Sequence, residues 1–179
     1  MYCSNCGSEM NDGTCMSCQR SLPPTARGKI DLRTGLMLAG WWRRVGSTFS
    51  DYLVLLLPTL IIYSLFAELD GLEIGALVAL AAQGIYFVKI LSGTRGQSLG
   101  NRVAASRVRD ATSGRRITLS QSFKRWGFVG ACGVLFLIPS VVSELLAFLI
   151  IIVDSFYPLW DPRNQTLHDK FAGTIVAVA

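Results

Sequence analysis

Cys3, Cys6, Cys15 and Cys18 stand as two Cys-x-x-Cys pairs inside CSNCGSEMNDGTCMSC. A tight turn lets two thiolates hold one ion, and two such turns complete a tetrahedral set, so these four are the candidate ligands of a Zn2+ ion. Two disulfides, or an iron centre on the same sulfurs, are the competing chemistries. A unit of about 20 residues cannot build a core alone, so the metal would supply most of its stability. The fifth cysteine, Cys132, falls in an apolar run and reads as a packing residue.

A second group lies in WWRRVGSTFSDYLVLLLPTLIIYSLF. On a helix Arg44, Ser47, Thr48 and Asp51 share one face and form a polar stripe. An aspartate at the centre of a membrane span costs about 2.5–3.5 kcal/mol, and each Leu, Ile, Phe or Val returns about 0.3–0.6 kcal/mol. The helix can therefore insert, but its acid needs a partner or a watery cavity. Two readings follow. In one, Asp51 pairs with Arg44 or another base and fixes packing. In the other it is a carboxylate for a cation or proton inside the bundle, with Asp154 as a second acid and Gln83 as a polar neighbour. His168, the only histidine, adjoins Asp169, but neighbouring side chains on a helix point apart and make no catalytic dyad. With no nucleophile, acid pair or triad, an enzyme is not expected. Gly93, Gly96 and Gly100 lack the Gly-Lys-Ser/Thr ending of a phosphate loop.

The elements that must position these residues are apolar. Of 179 residues 51% are hydrophobic and 16% charged, and the mean hydropathy of +0.42 is that of a chain embedded in lipid rather than a water-soluble domain. The expected fold is an all-α membrane bundle of three or four transmembrane helices with a small N-terminal zinc ribbon. The ribbon is residues 1–20, a linker and juxtamembrane segment is 21–39, and the transmembrane domain is 40–179. Its spans are 46–67, 74–91, 127–138 and 145–159. The last two form a hairpin because the apolar stretch from Trp126 to Trp160 is too long for one span. The turn is placed at Pro139–Glu144, with Glu144 marking it, and the repeated Gly127, Gly130 and Gly133 suit close helix packing.

Charge sets the orientation. Arg20, Arg27, Lys29, Arg33, Arg43 and Arg44 precede the first span, while the turn ELDGLE carries acids alone. The basic loop 92–125 and the tail with Arg163 and Lys170 fall on the same side, so the N-terminus is expected in the cytoplasm. That compartment is reducing and favours zinc over disulfides. All four tryptophans, Trp41, Trp42, Trp126 and Trp160, are expected at span ends. The chain opens without the basic start and apolar core of a signal peptide, so insertion is expected to use the first span. Within the loop, SRVRDATSGRRITL reads as a small hairpin turning at Asp110–Gly114, and Ser120 as a cap of the next helix. Topology and contact with anionic lipid account for the bases, and nucleic-acid binding is not expected.

With these residues in place, the chain resembles the RDD family of small bacterial membrane proteins over about residues 40–179. Arg44 with Asp51 is similar to the family's first-helix pattern, GQSLGNRVAASRVRD to its Gly-rich cytoplasmic segment, and TLHDKFAGTIV to its closing motif. The resemblance implies that Arg44, Asp51 and Asp169 are the signature residues, with Asp154 and Asp161 as alternatives for the third. It also implies a multi-pass protein of the bacterial plasma (inner) membrane for which transport of an ion or small solute has been proposed. Because four short helices enclose little pathway, a homo-oligomer is expected. The other function carried by the sequence is a membrane-anchored adaptor whose zinc ribbon binds a cytoplasmic protein.

Overall fold

Helix α1 spans Trp41–Ala67, 27 residues, or about 40 Å at 1.5 Å per residue, enough to cross a hydrocarbon core of about 30 Å with a tilt. It starts before the expected Gly46 and carries the whole polar stripe. Its burial is the reverse of a water-soluble helix: Ser47 and Asp51 are 6% and 4% exposed while Leu57 is 66% exposed. Polar side chains that face the bundle and apolar ones that face outward are what lipid selects. The computed structural model describes residues 10–11, 14–15, 29–69 and 71–179.

Helix α2, Leu72–Ser92, turns a row of Gly75, Ala76, Ala79 and Gly84 inward. Small residues there let helices approach closely. A Cβ on Gly84 would lie 2.6 Å from the Trp126 ring. Trp126 is thus packed against the small residues of α2. Trp42 and Trp160, by contrast, are 78% and 73% exposed.

Helix α4 covers Leu119–Phe136 and α5 covers Val141–Phe156, followed by a 3-10 turn at Tyr157–Leu159. The break falls at 137–140, so α5 begins before the expected Leu145 and Glu144 lies in its first turn. Helix α4 begins before the expected Gly127 because Thr118 and Gln121, rather than Ser120, close a capping box at its start. Among the described residues three helical stretches are long and apolar enough to cross a membrane: Trp41–Ala67, Leu72–Ser92 and Val141–Leu159. The expected third span is not among them, since α4 takes Lys124 and Arg125 into the helix.

The start of α1, the end of α2, the start of α4 and the end of α5 meet at one end of the bundle. There Trp41 Nε1 donates to the Ser155 carbonyl at 2.8 Å and Ser122 Oγ to that of Val88 at 3.1 Å. A small mixed layer caps that end: α3 (Leu99–Val103), β3 (Ser106–Asp110), α6 (Leu167–Ala172) and β4 (Thr174–Val178). β3 and β4 are antiparallel, with Ser106 opposite Val178 and Asp110 opposite Thr174. The fold is therefore mostly helical rather than all-α. The loop's turn at Asp110–Gly114 forms, with the Gly114 N–H donating to the Asp110 carbonyl at 3.0 Å. The partner of β3 is nevertheless the chain's last strand, not its own second half. Val108 and Val176 enter a buried cluster with Ala39, Leu91 and Ile117, and β4 offers the longer run of buried apolar side chains to pair against. Ala39 N–H donates to the Val176 carbonyl at 2.8 Å, and Arg163 grips Asp31 through Nε and Nη2, both at 2.8 Å. The juxtamembrane segment is thus built into the layer.

At the N-terminus, β1 (Met10–Asn11) and β2 (Thr14–Cys15) pair antiparallel. Apart from the backbone of Cys15, the expected zinc ribbon lies outside the described residues.

Candidate functional site

Thr166 and Asp169 form the capping box of α6: the Asp169 N–H donates to Thr166 Oγ1 and the Thr166 N–H to Asp169 Oδ2, both at 3.1 Å. The box holds the Asp169 carboxylate, which is fully buried, under the start of the bundle. Arg44 Nη1 reaches it from α1 at 2.6 Å, Arg125 from α4 forms a second ion pair with it, and Thr174 Oγ1 donates to it at 3.1 Å. One carboxylate therefore ties α1, α4, α6 and β4 together. Buried acids persist where charged donors offset the cost of leaving water.

Asp51, two turns further along α1, takes a different set of partners. Ser98 Oγ donates to it at 2.5 Å, the Gly100 N–H at 2.8 Å and the Tyr86 hydroxyl at 3.0 Å. Ser98 also caps α3 by accepting from the Asn101 N–H at 3.1 Å. Ser47 Oγ donates to Asn101 Oδ1 at 2.8 Å and Ser106 Oγ to the same oxygen at 2.9 Å. So close is α3 to α1 that a Cβ on Gly100 would run into the Ser47 carbonyl and stand 2.8 Å from the Asp51 carboxylate. Arg44 and Asp51, offered as a pair by the sequence, are not bonded to each other. Each binds a separate piece of the capping layer.

Asp154, on α5, is buried and pairs with His168: its Oδ2 lies 2.7 Å from Nδ1, and the His168 N–H donates to its Oδ1 at 2.9 Å. A carboxylate only accepts, so Nδ1 carries the proton. His168 and Asp169 point to different partners, as expected of neighbours. Burial lowers the His168 imidazole to about 4, the Arg125 guanidinium pushes the same way, and Asp154 opposes both. A histidine whose folded pKa lies below its ordinary 6.5 favours the neutral form, so stability should fall as pH drops from 6.5 towards 4. The loss is on the order of 2–3 kcal/mol. The lowered acids of the layer, Asp31, Asp110 and Asp161, titrate below 3.8 and leave that window to His168. Melting temperature in detergent should decline across it, and His168→Asn should flatten the decline. An equal slope in the variant would assign it to another group.

Between α1, α2, α4 and α5 lies a cavity of about 330 Å³, reached by Arg44, Thr48, Gln83, Arg125 and His168 among others. Gln83 Nε2 stands 3.5 Å from Thr59 Oγ1.

The sequence reading brought out Arg44, Ser47, Asp51, Asp154, His168 and Asp169, and the structure gathers all of them at one end of the bundle. It missed Arg125, counted only as a topology charge, and Tyr86, Ser98, Gly100, Asn101 and Thr174. The Thr-x-x-Asp spacing at Thr166 and the Ser-x-x-Asn at Ser98 were helix-start signals that could have found part of this set. Among the described residues no cluster of His, Cys, Asp and Glu is arranged to hold a metal.

Apolar helices that bury their few polar side chains against a buried Arg–Asp cluster define a membrane-type helical protein. Residues 38–173 match the RDD family, and the chain belongs to it. It is similar to uncharacterized protein YckC of Bacillus subtilis (strain 168), 29% identical over 141 residues that cover 79% of this chain and 85% of that one. No solved structure matches the chain.

Proposed function

We propose that the chain is a multi-pass protein of the bacterial plasma membrane, N-terminus in the cytoplasm, whose bundle binds a small solute beside Arg44 and carries it across the bilayer. The observation behind this is the 330 Å³ cavity with a buried arginine at its polar end, at the lower edge of the roughly 300–1,000 Å³ usual for ligand pockets. The joining of residues 37–39, β3 and β4 in one layer supports an even number of crossings, with α4 as the short fourth. The bases of all three cytoplasm-assigned segments then share one face.

A solute in the cavity fits the geometry better than a cation on Asp51, because both Asp51 oxygens already accept donors. Uptake of a panel of small solutes into proteoliposomes tests the reading. The wild type should take up at least one member, and Val129→Trp, which fills the cavity from α4, should abolish that uptake with an unchanged melting temperature. Equal uptake by the variant would refute it. Crosslinking in native membranes tests the homo-oligomer expected around so small a pathway.

A second reading keeps the N-terminal cysteines in view. We propose that Cys3, Cys6, Cys15 and Cys18 hold Zn2+ and that this ribbon docks a cytoplasmic protein. Its support is the spacing of two Cys-x-x-Cys pairs. Purified protein should then contain about one zinc per chain, and Cys3→Ser with Cys6→Ser should lose it while the membrane domain still melts normally. Zinc-free wild-type protein would exclude the ribbon. A partner retained after deletion of residues 1–20 would exclude the docking role.

A further inference from the structure

The polar side chains of the cavity wall divide into committed and open groups. Arg44 and Arg125 converge on Asp169, Asp51 accepts from Ser98, Gly100 and Tyr86, and Arg44 Nε and Nη2 are closed to anything the size of water. Asn101 and His168, which also line the cavity, are held through one side only. Asn101 Oδ1 accepts from Ser47 and Ser106, so its Nδ2 donors lie on the other side and bond no described residue. His168 commits Nδ1 to Asp154 and burial keeps the ring neutral at pH 7, so Nε2 is an acceptor, again with no described partner. Neither nitrogen is closed off as those of Arg44 are, although Asn101 is only 8% exposed. Buried donors and acceptors of this kind are costly unless something meets them.

The two open atoms stand at the same end of the cavity. Asn101 is bonded to Ser47 of α1, and Arg44, one turn earlier on that helix, bonds Asp169, the neighbour of His168. Thr48 lines the cavity beside them, and Gln83 adds a carbonyl oxygen, its Nε2 being turned to Thr59. All four of these side chains are uncharged. The charges around the cavity are the guanidiniums of Arg44 and Arg125 against the carboxylates of Asp51, Asp154 and Asp169, so no positive charge is in excess to hold an anion. Each carboxylate is already bonded to donors of the protein itself, which leaves none bare for a cation. Leu80, Phe87, Val129 and Ile151 supply apolar wall. At about 30 Å³ for each water-sized group, such a space holds about ten non-hydrogen atoms.

We infer that this cavity binds a small neutral carboxamide, its carbonyl accepting from Asn101 Nδ2, its N–H donating to His168 Nε2, and its apolar body lying between α1, α2, α4 and α5. The inference names the solute class of the transport reading and rests on that reading for the cavity's use, but its test is binding alone. An amide suits the site because it carries an acceptor and a donor side by side without a charge, and the site offers one of each in return. Asp154 acts as a positioning residue: by holding the proton on Nδ1 it keeps Nε2 free to accept. Ser47 and Ser106 do the same for Asn101, since two hydroxyls on Oδ1 fix which way the amide turns.

Ligand-observed NMR titration of the full-length protein in a neutral detergent uses four probes of nearly one shape: benzamide, acetophenone, benzoate and benzamidinium. Acetophenone keeps the carbonyl and lacks the donor, and the two ions carry a charge the site does not balance. Benzamide should bind about two- to tenfold more tightly than acetophenone, the worth of one neutral hydrogen bond, and more tightly than either ion. His168→Asn keeps an N–H for Asp154 but has no Nε2, so benzamide should fall to the acetophenone level while acetophenone itself is unchanged, a pattern that general damage to the fold would not give. Val129→Trp leaves Asn101 and His168 in place and should lose both neutral probes through lack of space, which keeps the test valid where His168→Asn does not fold. No saturable binding of benzamide, acetophenone bound equally well, benzoate or benzamidinium bound more tightly, a preference for benzamide retained in folded His168→Asn, or benzamide affinity unchanged in Val129→Trp would each overturn the inference. Benzamide bound but not taken up into proteoliposomes would leave it standing and remove the transport reading. Uptake of a charged solute, with benzamide unbound, would do the opposite.

Discussion

Asp169→Asn is expected to destabilise the protein by about 3–5 kcal/mol, the cost of leaving buried charges without their partner. The substitution keeps the volume and one oxygen for the α6 cap, but the two guanidiniums that converge on this carboxylate, Arg44 and Arg125, are left with a neutral amide. Because the Asp169 side chain is fully buried, water cannot take over. A melting curve in detergent reads the effect directly, as a fall on the order of 10 °C for a chain of this length. Asp161→Asn is the comparison: this acid is also buried, but its cation is the half-exposed amine of Lys170 at 2.5 Å, which water can take over, and an amide keeps one oxygen for the N–H groups of Arg163 and Gln165, so its loss should be the smaller one. Equal losses in the two variants would show that Asp169 does not hold the bundle to its cap.

Gly100→Ala should be nearly as damaging for a steric reason. Its new methyl group would overlap the Ser47 carbonyl and crowd the Asp51 carboxylate, and both obstacles belong to α1, one of them backbone. Overpacking of this kind typically costs about 1–3 kcal/mol, and here it would also pull the Gly100 N–H and Ser98 hydroxyl off Asp51. Gly127→Ala sets the scale, because nothing lies within 4 Å of its Cβ position and alanine favours a helix by about 1 kcal/mol. The first variant should melt well below the wild type and the second at or above it. A harmless Gly100→Ala would mean that α3 is not seated on α1.

The polar stripe was legible because a helix places Arg44, Ser47 and Asp51 on one face whatever surrounds it, and because lipid leaves such a face few alternatives to burial. The partners of Arg44 and Asp51 were not. Arg44 bonds a carboxylate 125 positions away and Asp51 a hydroxyl 47 away. Periodicity carries no information about which distant segment closes on a helix end. The β3–β4 ladder was hidden for the same reason. SRVRD alternates as a strand, but the local turn at Gly114 pointed to the wrong partner, and burial of Val108 against Val176 decided for the C-terminus. Arg125 was obscured by its surroundings. Eight bases in one loop read as a topology signal, and nothing in their spacing marks the one that turns inward. Helix α4 shows the limit of hydropathy: its basic first half keeps it out of the candidate spans although it packs between α2 and α5.

The measurement that bears most directly on this arrangement is a double-mutant cycle on Arg44 and Asp169, using Arg44→Met, Asp169→Asn and the combined variant, with unfolding followed in detergent. If the guanidinium of α1 and the carboxylate of α6 are bonded, the two losses will not add. The combined variant should be spared about 1.5–3 kcal/mol of their sum, as for groups in direct contact. Losses that add to within about 0.5 kcal/mol, as for distant and independent sites, would contradict the bond on which the site is built.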